Sequence, residues 1–192
     1  MSVRKMTPTE LLGGHALISS ANPALVRNFR KLKAAKARDF AVAAHGNQLY
    51  GDRPYVEHLE AVVRVLEEFD FFGDCSTAGW LHDVIEDTAI TLADLGTAFG
   101  DRVAKLVFAV SGGGDRATHV ASIYEKITAY PDAAPLKLAD RIANIEACER
   151  GDKHAGRYAR EHPAFSRLIE PLVPAAMWQR YTHALSQKQS DL

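Results

Sequence analysis

Cysteine is scarce in this chain of 192 residues: Cys75 and Cys148 are the two present. Two thiols are too few for a disulfide framework, and too few to build a thiolate zinc site unaided. No apolar run approaches the roughly 18 residues that a membrane-spanning helix needs, so no membrane partner is expected. The opening Met1-Ser2-Val3-Arg4-Lys5 leads into no apolar stretch of the export-signal kind. Neither sign of charge is in excess: 23 Lys and Arg face 24 Asp and Glu, a net charge of −1. That balance argues against a nucleic-acid partner. Runs of β-branched alternation, internal repeats and low-complexity linkers are also missing, which argues against a sheet protein or a solenoid. What remains is 47% apolar and 24% charged residues, the composition of an ordinary globular domain. A chain this long can bury roughly 70% of its unfolded surface without covalent staples. A cytoplasmic protein is expected.

Helical periodicity fills the space that strands leave. Leu59, Val62, Val63 and Leu66 follow i, i+3, i+4, i+7 spacing, with Glu60, Arg64 and Glu67 turned outward. A second helix is expected to start at Ser76 or Thr77 as N-cap and to bury Trp80, Leu81, Val84 and Ile85. Thr91 and Asp94 form a capping-box pattern ahead of Leu95 and Phe99, and Gly100 stops that helix. Val103, Leu106, Val107 and Val110 mark the next helix, which the Gly112-Gly113-Gly114 run breaks. Leu138, Ile142 and Ile145 again have helical spacing, and Met177, Trp178, Tyr181 and Leu185 suit a closing helix that completes the core, with an oligomer contact as the alternative. The chain therefore reads as all-α. Residues 1–25, with Pro8, Gly13, Gly14 and Pro23, read as an irregular arm or a short helix, and residues 26–192 as one domain. Arg27, Arg30, Lys31, Lys33, Lys36 and Arg38 form a basic cluster whose plain reading is a solvated helix face.

Chemistry concentrates in Trp80-Leu81-His82-Asp83-Val84-Ile85-Glu86-Asp87-Thr88. If the helix continued, Glu86 would lie i+4 from His82 and i+3 from Asp83, so the three would share a face. An imidazole beside carboxylates at the edge of a core suits a divalent cation. The competing reading is a capped helix end with its acids in water. Two more segments bear on the choice. Pro54-Tyr55-Val56-Glu57-His58 sets a histidine at the mouth of a helix, and Lys137-Leu138-Ala139-Asp140-Arg141-Ile142-Ala143-Asn144 sets Asp140 and Asn144 on one face.

In order with Ala44-His45-Gly46-Asn47-Gln48, these segments resemble the HD-domain metal-dependent phosphohydrolases. Within that family the pattern is most similar to the hydrolase domain of the RelA/SpoT alarmone enzymes and the small alarmone hydrolases. The likeness runs from about Ala35 to Arg150. It implies a single HD-type helical bundle and a divalent cation, Mn²⁺ by ligand type, held by His58, His82, Asp83 and Asp140. Glu86 and Asp87 match the pair that handles the attacking water. Asn144 matches a contact to substrate, and Thr88 fixes the end of its helix. His45 precedes the substrate loop, behind the ligands or against the substrate. The implied activity is that of a guanosine-3′,5′-bis(diphosphate) 3′-pyrophosphohydrolase, which removes the 3′-pyrophosphate from the alarmone ppGpp or its pentaphosphate. The implied partner is thus a small nucleotide. With no polymerising domain after the hydrolase segments, the chain is expected to degrade alarmone and not to make it.

Two segments depart from the family. Counting back from His58, the positions of an Arg-Lys pair that contacts substrate hold Leu49 and Tyr50. Tyr50 could stack on a purine and Arg53 could supply one charge, or Leu49 and Tyr50 could simply pack the loop. Ser111-Gly112-Gly113-Gly114-Asp115-Arg116 replaces a threonine-lysine continuation, as a lid or a plain connection. Lys153, His154, Arg157 and Arg160 either lean over the pocket or form a solvated face. Two alternatives stand beside the alarmone reading. One is an HD phosphohydrolase acting on another nucleotide or a phosphorylated metabolite, and the other is a catalytically silent nucleotide-binding module.

Overall fold

Asn22 opens the first helix: its Oδ1 accepts from the Ala24 amide at 2.9 Å. Pro23 follows at the first helical position, where a missing N–H costs nothing. The computed structural model describes residues 22–113, 115–149 and 153–189, with the side chains of 116, 153–155 and 189 outside that set. Helix α1 (Pro23–His45) is followed by a two-stranded ribbon, β1 (Leu49–Tyr50) and β2 (Arg53–Pro54). Then come α2 (Tyr55–Glu68), α3 (Asp74–Leu81), α4 (Val84–Asp87), α5 (Leu92–Phe99) and α6 (Asp101–Val110). Beyond them lie α7 (Arg116–Ala129), α8 (Ala134–Ala147), α9 (Lys153–Ile169) and α10 (Ala175–Gln189). The all-α reading holds. Among the described residues its one exception is the ribbon, in which Leu49 pairs with Pro54 and Tyr50 with Arg53 across a turn where Gly51 has φ 64°.

Helix α8 runs through the middle. Leu136, Leu138, Ala139, Ile142 and Ile145 are all fully buried, and the helix packs on α2, α3, α9 and α10. Burying each such Leu or Ile stabilises the fold by about 1.5–3 kcal/mol. Arg180 of α10 reaches Glu146 of α8 through two nitrogens, at 2.9 and 2.8 Å, and Glu68 of α2 at 2.6 Å. Tyr181 and Trp178 close the core against Phe165, as the apolar spacing of the last helix predicts. The capping box is also present: Thr91 Oγ1 accepts from the Asp94 amide and Asp94 Oδ2 from the Thr91 amide.

Two expectations change. Helix α3 starts at Asp74 after Gly73, whose φ of 69° suits glycine, so Ser76 and Thr77 are buried interior residues and cap nothing. The helix also ends at Leu81, so His82, Asp83 and Glu86 do not lie on one continuous helix face; α4 is a separate single turn. Of the arm or short helix expected over residues 1–25, residues 1–21 lie outside the described residues, as does Gly114, and α1 begins at Pro23. The basic cluster on α1 is only partly a solvated face. Lys33 pairs with Asp74 at 2.6 Å and Lys36 donates to the Ala98 carbonyl at 3.0 Å.

Candidate metal centre

Gly79 begins the construction. A Cβ there would meet Leu66 Cδ1 at 2.9 Å and Val63 Cγ2 at 3.0 Å, so its absence lets α3 lie close on α2. The Gly79 carbonyl then lies 2.9 Å from His82 Nδ1. With the proton on Nδ1 for that bond, His82 Nε2 offers its lone pair inward. His58, one turn into α2, presents Nε2 from the other side, 3.3 Å away. Both rings are buried. Asp83 Oδ2 lies 3.0 Å from His82 Nε2 and 3.6 Å from His58 Nε2. Asp140 Oδ1, from the middle of α8, lies 3.6 Å from His58 Nε2 and 3.7 Å from His82 Nε2.

These four groups are the set predicted from the sequence, and the fold brings them together. His58, His82 and Asp83 form a group able to hold a metal ion. The donor chemistry fits one: two buried imidazole nitrogens facing each other across 3.3 Å repel unless a proton or a cation lies between them. Burial favours neutral His82, but the Asp83 and Asp140 carboxylates outweigh it and push its pKa well above the usual value. Asp83 is held well below the carboxylate range against its burial, by His82 first and by His58. Asp140 is lowered likewise by the Lys137 ammonium, 2.8 Å from Oδ2, and by His82.

Around this centre the other residues expected from the sequence split. Glu86 Oε1 accepts from the Gly112 amide at 2.8 Å, and burial raises its pKa. Asp87 Oδ2 accepts from Gln48 Nε2 at 2.8 Å. Thr88 Oγ1 donates to the Val84 carbonyl at 2.6 Å and so ends α4, as expected. Asn144 donates to Asp140, and Tyr50 donates its hydroxyl to Asn144 Oδ1. The Tyr50 ring lies flat on His58, centroids 4.6 Å apart and planes 6° apart, so one of its faces is covered and a purine would have only the other. Arg53 is exposed and 3.9 Å from Glu57; with Tyr50, His58 and Arg64 it borders a cavity of about 410 Å³. His45 is not at the centre. It stacks on Tyr55 at 4.5 Å, and Tyr55 in turn donates to Asp83 Oδ2 at 2.5 Å. Arg157 bonds the Tyr158 hydroxyl and Arg160 is exposed, while the side chains of Lys153 and His154 lie outside the described residues.

Four contributors escape a reading of the sequence alone: Tyr55, Gln48, the Gly112 amide and His119, whose Nδ1 is 3.9 Å from Glu86 Oε2. Lys137 has a local signal, three residues before Asp140. Arg141, next to Asp140 in the chain, pairs instead with Glu161 at 2.9 Å.

Comparison with known proteins follows the same lines. A guanosine-3′,5′-bis(diphosphate) 3′-pyrophosphohydrolase of Aquifex aeolicus is 32% identical over 118 residues, 58% of this chain and 17% of that protein. The bifunctional (p)ppGpp synthase/hydrolase SpoT of Escherichia coli K12 is 41% identical over 75 residues, 39% of this chain and 10% of that protein. The chain thus spans less than a fifth of these relatives. A solved structure, reported as a metazoan ortholog of SpoT that hydrolyzes ppGpp, superposes with a TM-score of 0.67 at 21% identity. That match covers 81% of this chain and 95% of the other, and it establishes a shared fold. Among the described residues no helix is long and apolar enough to cross a membrane. The HD-domain profile matches residues 37–165, and with the helical architecture and the paired His82-Asp83 it makes this chain a member of the HD-domain family.

Proposed function

We propose that this domain is a metal-dependent phosphohydrolase that removes the 3′-pyrophosphate of guanosine tetra- or pentaphosphate. The observation that carries the reading is the convergence of His58, His82, Asp83 and Asp140, with Glu86 and Asp87 at its edge. The names of the relatives support the substrate. His58, His82, Asp83 and Asp140 would hold the cation, for which two imidazoles and two carboxylates suit Mn²⁺. Such a cation supplies charge for a phosphoryl oxygen and lowers the pKa of water.

The chain's own groups do the rest. Glu86, with its raised pKa and one oxygen committed to Gly112, takes a proton from water as the oxygen–phosphorus bond forms and the bond to the 3′ oxygen breaks; the leaving 3′ oxygen takes up a proton in turn, which leaves a 3′-hydroxyl and pyrophosphate. Asp87, held by Gln48, orients the same water. Lys137 holds Asp140 ionised and in register. Asn144 and Tyr50 face the nucleotide, Arg53 supplies a charge at the rim, and His45 steadies Tyr55 from behind. A second reading, another nucleotide or a phosphorylated metabolite as substrate, is favoured by the Tyr50 hydroxyl engaging Asn144 where the family has a cation. A silent module is disfavoured by the complete set of ionisable groups.

Release of pyrophosphate from ppGpp by the Mn²⁺-loaded protein, with Asp83→Ala as blank, tests the proposal. Turnover absent from the blank is the expected result. Bound cation without turnover would remove the alarmone, and a panel of nucleoside mono-, di- and 3′-phosphates would then test the second reading.

A further inference from the structure

In the segment where the likeness to the family lapses, the Gly112 amide bonds directly to the proposed base. We propose that His119 is a positioning residue for Glu86, forming with the Gly112 amide a clamp on the two carboxylate oxygens. The inference rests on Glu86 as the base. Gly112 N–H donates to Oε1 at 2.8 Å, while His119 Nδ1 stands 3.9 Å from Oε2, close enough for attraction but too far for a hydrogen bond. Both side chains are largely covered, at 21% and 24% accessibility.

The imidazole and the glycine are fitted to each other. A Cβ on Gly112 would lie 2.5 Å from His119 Nδ1, 2.6 Å from Cγ and 2.8 Å from Cε1, so no other residue leaves the ring where it is. Gly113, next in the chain, would meet nothing within 4 Å. The loop's glycines therefore do different work. The backbone that carries the ring is fixed by the first turn of α7. There Asp115 Oδ1 accepts from the Thr118 amide at 2.9 Å, and the Asp115 carbonyl from the His119 amide at 2.8 Å. So placed, the ring lies against Gly112 and beside Glu86 Oε2. A base fixed at both oxygens presents one lone pair to water in a set direction, and misplacement by 1 Å can cost about a hundredfold in rate.

The test compares Gly112→Ala, Gly113→Ala, His119→Ala, His119→Gln and the Gly112→Ala/His119→Ala pair in the full chain, by steady-state pyrophosphate release. His119→Ala should lower kcat roughly ten- to a hundredfold while KM moves by less than about twofold. His119→Gln, which keeps an N–H, should recover part of the loss. Gly112→Ala should resemble His119→Ala, the pair should be no worse than His119→Ala, and Gly113→Ala should match the parent. An unchanged kcat in His119→Ala overturns the proposal. So does a Gly112→Ala that is as harmful in the His119→Ala background as alone. A second readout needs no turnover. The Gly112 amide proton, shifted downfield by a carboxylate acceptor, should move upfield in metal-free His119→Ala, with Glu86→Gln setting the scale. If the parent hydrolyses no phosphate ester, the functional reading falls and this resonance alone decides the clamp: a shift supports it and an unmoved peak overturns it.

Discussion

Glu86 is the residue whose environment makes the sharpest demand. Burial raises its pKa above the usual carboxylate value, the Gly112 hydrogen bond opposes that, and Asp83 adds to it. A base works only when ionised, so the rate should fall as pH drops through that raised value. The sign for stability is opposite. A carboxyl whose pKa is raised by folding favours the fold in its protonated form, and that contribution is lost as pH rises through the raised value. Glu86→Gln removes the charge and keeps an oxygen for Gly112. It should therefore retain the cation, lose about a hundredfold or more in kcat, and show no fall in thermal midpoint. Turnover at the parental rate, by stopped assay across pH 5–9, would show that the base is elsewhere. At this scale the sequence is uneven in what it reveals. Asp140 and Asn144 are four residues apart on α8, so their contact follows from helical spacing. His58 and His82 meet across 24 residues, and no local rule brings them together; their pairing was legible only through the family's motifs.

At the scale of elements, the decisive joint is the break between α3 and α4. The capping box at Thr91 was legible because it is a local hydrogen-bond pattern written in two residues. The break was not, because Leu81-His82-Asp83-Val84 contains neither proline nor glycine; at this point His82 Nδ1 turns back to the Gly79 carbonyl of α3, and Asp83 accepts from the Tyr55 hydroxyl of α2. Gly79 sets the depth of this joint. Gly79→Ala should destabilise the protein by about 1–3 kcal/mol through overpacking against Val63 and Leu66, and weaken cation binding by displacing His82. Denaturant midpoints and cation titration read the two effects, and an unchanged midpoint would mean α2 and α3 yield freely. The ribbon is the other element with a consequence. Leu49 is exposed and Tyr50 folds back on His58 and Asn144. Leu49→Arg with Tyr50→Lys should free Asn144 and add two cations. It should raise kcat/KM for ppGpp by about tenfold or more, the scale of one charge-assisted hydrogen bond. No gain would assign substrate selection to other residues.

The whole molecule gathers its candidate ligands from α2, the α3–α4 joint and α8, and α8 is the helix on which α2, α3, α9 and α10 all pack. Chelation should therefore be felt everywhere. A cation at a hundred times its Kd stabilises by about 2.7 kcal/mol, so stripping it should lower Tm by roughly 5–10 °C for a chain of this size. A midpoint indifferent to chelator would separate the cluster from any ion. The wide spacing of the ligands along the chain also orders events in time. Closing the loop from His58 to Asp140 must precede cation capture, and such closure is slow relative to forming helices. A cation captured only by the assembled set should leave the rate of folding unchanged and retard only the return journey. It makes the native state long-lived without helping the chain to find it.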